Sequence, residues 1–234
     1  MGASKKKQMR YFDKDWPDQI WNAANEIGGG KGAAWLRPLA AIALTGARPA
    51  ALEKGIEFSI VNCAGVYFIQ ALIPGVKLRK DRGQPHHVMR WSLDKLTTHR
   101  KHELKLIAET LMTAESNRII LKYDAEAIST RLRELSISIW PRKKHHITAY
   151  CYRQLFASVA KSSGANRDEI ALAMGHLSAD SQGRYSRKSC GGRKPDIHIK
   201  PWAEVAGPKP IKPQRSALSR FKDASRKKTG KQFT

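Results

Sequence analysis

The spacing of apolar residues changes twice along this chain, and that change restricts its fold more than any other feature. Up to Leu44 the pattern suits helices. Pro17–Ile27 is one predicted helix, with proline at an early helical position, and Gly28, Gly29 and Gly30 end it. Ala33–Leu44, rich in Ala and Leu, is a second. Three short runs then follow, Phe58–Cys63, Val66–Leu72 and His86–Ser92, with strand-type composition. A turn signal within Asn62–Gly65 pairs the first two as a hairpin. Pro74–Gly75 and Arg82–Gly83 punctuate the gap before the third.

The helical period then returns. Leu104, Ile107, Ala108 and Leu111 fall at spacings of three and four, one face of a helix. Ala125–Ile139 places Ile128, Leu132 and Leu135 on one stripe, and Trp140–Pro141 stops it. Arg142–His146 is a basic loop. Thr148 stands at an N-cap position for a helix over Ala149–Lys161, which Gly164 closes. Asn166 and Glu169 fit a capping box opening Arg167–Met174. The order predicts one α+β domain, mainly α, with a small three-stranded antiparallel sheet.

Charge narrows the partner. The 234 residues carry a net charge of +23. So basic a chain repels itself unless a polyanion offsets the charge, and nucleic acid is the default polyanion. An anionic membrane surface is the rival polyanion, but no long apolar run is present to span or anchor a bilayer, so no membrane partner is expected. The Lys5–Lys7 run is followed by no apolar stretch, so a secretory signal is not expected. Cys63, Cys151 and Cys190 are odd in number and scattered; they read as reduced thiols of a cytoplasmic protein and make no zinc-finger spacing. The run Gly28–Gly32 lacks the spacing and the Ser/Thr of a phosphate-binding loop and reads as a turn. The domain plan is a basic flexible arm over 1–15, a globular domain over 16–187 and a basic, Pro-rich tail over 188–234. From Arg187 onward, fourteen Lys or Arg stand against three acidic residues. Such a segment does not bury enough surface to fold alone.

One ordered set of residues carries the chemistry. Thr148-Ala-Tyr-Cys-Tyr-Arg153 precedes Leu172-Ala-Met-Gly-His176, and Arg184-Tyr185 follows. Upstream lie Leu44-Thr-Gly-Ala-Arg48 and Lys80-Asp-Arg-Gly-Gln-Pro. Over about residues 30–187 this set resembles the tyrosine recombinase and phage integrase family. The resemblance implies the catalytic domain of an enzyme that cleaves and rejoins DNA through a 3′-phosphotyrosyl bond, with Tyr185 as nucleophile. Arg48 and Arg153 would grip the non-bridging phosphate oxygens, as two fixed guanidinium forks can. His176 would bond the phosphate or orient Tyr185. Lys80 would protonate the leaving oxygen, with Lys77 as the fallback; Lys54 reads as a surface charge. Lys77, Arg79, Arg82, Lys143 and Lys144 are the cations expected on DNA. No metal or cofactor is implied. The expected partners are double-stranded DNA, further copies of the chain as a dimer or tetramer on it, and an accessory DNA-bending protein.

Two residues depart from the family pattern. Tyr150 stands where the family has His, and either takes a phosphate-binding role or yields it to His145 or His146. Ala51 replaces an acidic residue, with Glu53 close by. Only 47 residues precede Arg48, so the family's N-terminal helical domain is not expected. The tail either docks on a neighbouring subunit or lies disordered on DNA. Two other functions stay open: type IB topoisomerase-like DNA relaxation, and DNA binding without catalysis.

Overall fold

Helix α1 (Trp16–Ile27) forms because Trp16, Ile20 and Ala24 recur every fourth residue and bury one stripe. In α2 (Ala33–Thr45) Leu39, Ala40, Ala41 and Ile42 are all buried, so this helix is central to the core. The chain is described here from a computed structural model, over residues 12–27, 33–76, 78, 83–93, 101–184 and 200–212. After α2 come α3 (Pro49–Lys54), β1 (Ile56–Cys63), β2 (Val66–Pro74) and β3 (His86–Ser92). Then follow α4 (Lys101–Met112), β4 (Arg118–Leu121), α5 (Ala125–Ile139), α6 (Ala149–Ser162) and α7 (Arg167–Ala173). A 3₁₀ turn (Ala179–Arg184) and β5 (Glu204–Ala206) complete the order.

Both expected caps form. The Asn166 side chain accepts from the Glu169 N–H at 2.7 Å, and Glu169 accepts from the Asn166 N–H at 3.1 Å. Thr148 starts α6, its carbonyl accepting from the Cys151 N–H at 2.8 Å. Helix α6 buries ten residues, from Ala149 to Ala160, and Trp16 of α1 packs edge-on against its Tyr152 at 4.9 Å.

The sheet has five strands among the described residues, not the three expected, in the order β4-β1-β2-β3-β5 with every pair antiparallel. The two added strands are the edges. β4 has four residues and β5 has three, too few for alternation to stand out. Their pairing comes from β1 and β3, not from a pattern of their own. On β3 the alternation is clear: His87, Met89 and Trp91 face inward. No helix of the described residues is long and apolar enough to cross a membrane.

Residues 200–212, within the segment expected as a tail, pack on this same domain. Trp202 is buried and stacks on Phe156 of α6 at 5.6 Å. The Trp91 indole N–H donates to the Pro201 carbonyl at 2.7 Å, and Lys200 pairs with Glu169 at 2.8 Å. Trp202→Ala should therefore cost about 3–5 kcal/mol, the range for deleting a buried large aromatic. Chemical denaturation checks this, and a midpoint equal to that of the unchanged protein would show that the segment does not dock.

Candidate active site

The end of α2 sets the first guanidinium. The Thr45 hydroxyl donates to the Ala41 carbonyl at 2.6 Å and accepts from the Ala47 N–H at 3.1 Å, which turns the chain sharply out of the helix. Gly46 takes φ +57°, and a Cβ there would lie 2.5 Å from the Phe156 ring. Only glycine fits both demands. Arg48 then becomes the N-cap of α3, with Pro49 at the first helical position. It is half-buried, and its Nη1 donates to the Val76 carbonyl at 3.3 Å.

Arg153 comes from the second turn of α6 and is 2% exposed. Its Nη1 donates to the Gly46 carbonyl at 2.7 Å and its Nη2 to the Met174 carbonyl at 2.7 Å. The same Nη2 lies 3.2 Å from His176 Nε2. A guanidinium has donors only, so in this contact Nε2 is the acceptor. His176 itself is set by the end of α7. The Gly175 N–H donates to the Leu172 carbonyl and the His176 N–H to the Ala171 carbonyl, both at 2.8 Å, with Gly175 at φ +65°. That is a Schellman ending, which places the histidine just past the glycine.

Arg48 and Arg153 meet at one small, partly open pocket, with Ala47, Ala51, Val76, His87 and Gly175 among its walls. Among the described residues no acidic side chain lines it. Two guanidiniums at one small opening make an anion site. Ala51 lines this pocket with a methyl group and brings no carboxylate to its wall. The Gly75 N–H donates to the Pro85 carbonyl at 2.7 Å, closing the base of the β2–β3 loop beside the pocket.

Other expected site residues fall elsewhere. Tyr150 is 40% exposed and is not part of the pocket wall; nor are His145 and His146. Lys143 lies 5.9 Å over the Phe12 ring, and Lys144 is exposed; neither lines the pocket. Lys54, read as a surface charge, is exposed and donates to the Gly75 carbonyl at 2.7 Å. Lys77, Arg79, Lys80, Arg82 and Tyr185 lie outside the described residues.

The pocket also contains a residue that sequence reasoning missed. His87 is 4% exposed, and among the described residues neither ring nitrogen has a hydrogen-bond partner. Burial and then the Arg153 guanidinium push its pKa down to about 3, with Arg48 and His86 adding to the fall. The Ala173 carbonyl acts the other way, without reaching hydrogen-bond geometry. The signal was present: His87 shares the inward phase of β3 with Met89 and Trp91, where a polar residue is uncommon.

Neither protein-family models nor curated proteins match this sequence. Among solved structures it is similar to the XerH site-specific recombinase in two complexes, a pre-cleavage complex on difH substrate and a post-cleavage complex on palindromic difH substrate. Each has 15% identity and a TM-score of 0.47, covering 74% and 73% of this chain. The chain spans about half the length of those proteins, 48% and 47%.

Two outcomes follow from this geometry. Gly46→Ala should destabilise the fold by about 1–3 kcal/mol, as overpacking against Phe156 does, and a denaturant titration reads it directly. His87 has a folded pKa below its usual 6.5, so between about 3 and 6.5 the unfolded chain binds the proton. Its contribution to stability is complete above about pH 6.5 and is lost as pH falls towards 3, approaching about 1.4 kcal/mol per pH unit. The stability of the native protein relative to His87→Gln should fall as pH drops through that window; a difference independent of pH would refute the neutral buried ring.

Proposed function

We propose that this protein is a DNA strand transferase of the tyrosine recombinase type. One observation carries the reading: Arg48 and Arg153, far apart in sequence, line a single pocket without a carboxylate, and Arg153 bonds His176. A phosphodiester matches that pocket, because it is a compact anion whose charge grows during attack. Donors fixed before the reaction stabilise such charge without reorganising. Arg48 and Arg153 are the phosphate clamp, and His176, held by Arg153, supports it. Tyr185 is the nucleophile, directly after the 3₁₀ turn that ends at Arg184. Lys80, with Lys77 as fallback, protonates the leaving 5′ oxygen from a loop whose base flanks the pocket.

The partner in this reading is double-stranded DNA. The net charge of +23 supplies long-range attraction. Lys77, Arg79, Arg82, Lys143 and Lys144 contact the backbone, and further copies assemble on the same DNA as a dimer or tetramer. The reaction joins, excises or exchanges DNA segments. A second reading, DNA binding without cleavage, is favoured by Tyr150 lying off the pocket wall and by Ala51 lining it.

Incubation with a nicked duplex that traps the covalent adduct separates the two. The native protein should give a DNA-shifted band on a denaturing gel, and Tyr185→Phe none. Arg48→Ala should bind DNA yet form the adduct about 10²–10³-fold more slowly, as loss of one transition-state donor does. DNA binding with no adduct from the native protein would select the second reading.

A further inference from the structure

Outside the phosphate clamp, one side chain in the pocket has no structural task that accounts for its chemistry. His87 occupies an inward position of β3, opposite Ile73 of β2, where its neighbours Met89 and Trp91 are core residues. An apolar side chain would serve packing there, and an imidazole costs free energy when its nitrogens are buried without partners. The ring packs against Gly175, where even an added Cβ would come within 3.0 Å of it. It lines the pocket together with Arg48 and Arg153. Of the described lining residues it is the one whose side chain has a lone pair to take up a proton, since arginine keeps its own.

We infer that His87 is a catalytic residue of this pocket, the base that takes the proton of the attacking phenol. The inference rests on the strand-transfer reading above. Arg48 and Arg153 face the ring from the start of α3 and from α6, and His86 adjoins it on β3. A protonated ring would meet both guanidiniums, so the resting imidazole is neutral and offers a lone pair. A phosphodiester seated between the guanidiniums brings a negative charge to the same place. The ring becomes more basic when substrate is bound, which is when a proton must be accepted.

The step balances. The Tyr185 oxygen forms its bond to phosphorus as its O–H proton passes to the His87 lone pair. The bond from phosphorus to the 5′ oxygen breaks, its electron pair stays on that oxygen, and Lys80 supplies the proton there. Rejoining reverses each transfer: the 5′ hydroxyl returns its proton to Lys80, and His87 returns its proton to the phenol. Tyr150, exposed and off the wall, is not needed for this transfer.

The test is single-turnover cleavage of a nicked duplex by the native protein, His87→Ala, His87→Gln and Lys80→Ala. Each is also given a duplex with sulfur in place of the bridging 5′ oxygen, a leaving group that needs no acid. Both His87 variants should bind the duplex within about threefold of native affinity and form the adduct about 10²–10⁴-fold more slowly, the usual contribution of a positioned base. Free imidazole should restore part of the His87→Ala rate. The sulfur duplex should rescue Lys80→Ala and leave His87→Ala slow.

Adduct formation by a folded His87→Gln within threefold of native overturns the inference. So does rescue of His87→Ala by sulfur, which would make His87 an acid. In both cases the native adduct still stands, and so does the strand-transfer reading. A native protein that binds the duplex without any adduct removes the reading and the inference together. If neither His87 variant unfolds cooperatively, nitrogen NMR of the histidine rings in Tyr185→Phe decides. Bound duplex should shift the His87 ring nitrogens, and unmoved resonances count against it.

Discussion

The buried Arg153 guanidinium is the interaction on which the rest of the structure depends. It leaves α6 in the centre of the core and bonds the carbonyl that ends α2 at Gly46, the carbonyl that ends α7 at Met174, and the His176 ring. Burying a cation is expensive unless donors find acceptors. Here helix ends supply them, because the last carbonyls of a helix have no partner within it. One side chain therefore satisfies two helix termini and fixes their separation. The glycines at 46 and 175 follow from the same demand: each lets the chain reverse at a helix end while keeping its backbone close to another group.

That arrangement makes the pocket strongly cationic, which governs the other groups nearby. His87 stays neutral because burial and the two guanidiniums disfavour a third positive charge. Ala51 adds no compensating carboxylate. The pocket therefore carries positive charge that no described lining residue offsets, and the proposed chemistry uses that field to bind a phosphodiester and stabilise its added charge.

A second connection runs through Gln84, which is fully buried. Its N–H donates to the Gly175 carbonyl at 3.1 Å. Its side chain donates to the Lys209 carbonyl at 2.7 Å and accepts from the Lys209 N–H at 3.1 Å. One residue thus ties the base of the β2–β3 loop to the end of α7 and to the 200–212 segment. The tail's composition did not predict this. Pro and Lys dominate it, and the burial of Trp202 and the pairing of the three-residue β5 with β3 rest on too few residues to stand out in its composition.

Local pattern made the main helices, the β1–β2 hairpin and both caps legible, because spacing, capping side chains and turn residues act within a few positions. The ordered set of Arg48, Arg153 and His176 was legible too, as residues, and the fold brings Arg48 and Arg153 to one pocket. Strands β4 and β5 were not, since an edge strand of three or four residues is defined by its neighbour. Nor was the role open to His87, whose environment comes from α3, α6 and α7, all distant in sequence. By itself the sequence determined the longer helices, where they end, and the strongly basic charge of the chain, while the six-residue α3 carried no periodic signal of its own. Only the tertiary structure decided which side chains share a pocket, that Tyr150 stays outside it and that His87 is inside. Burial and the field of two guanidiniums are sums over residues that meet only when the chain is folded.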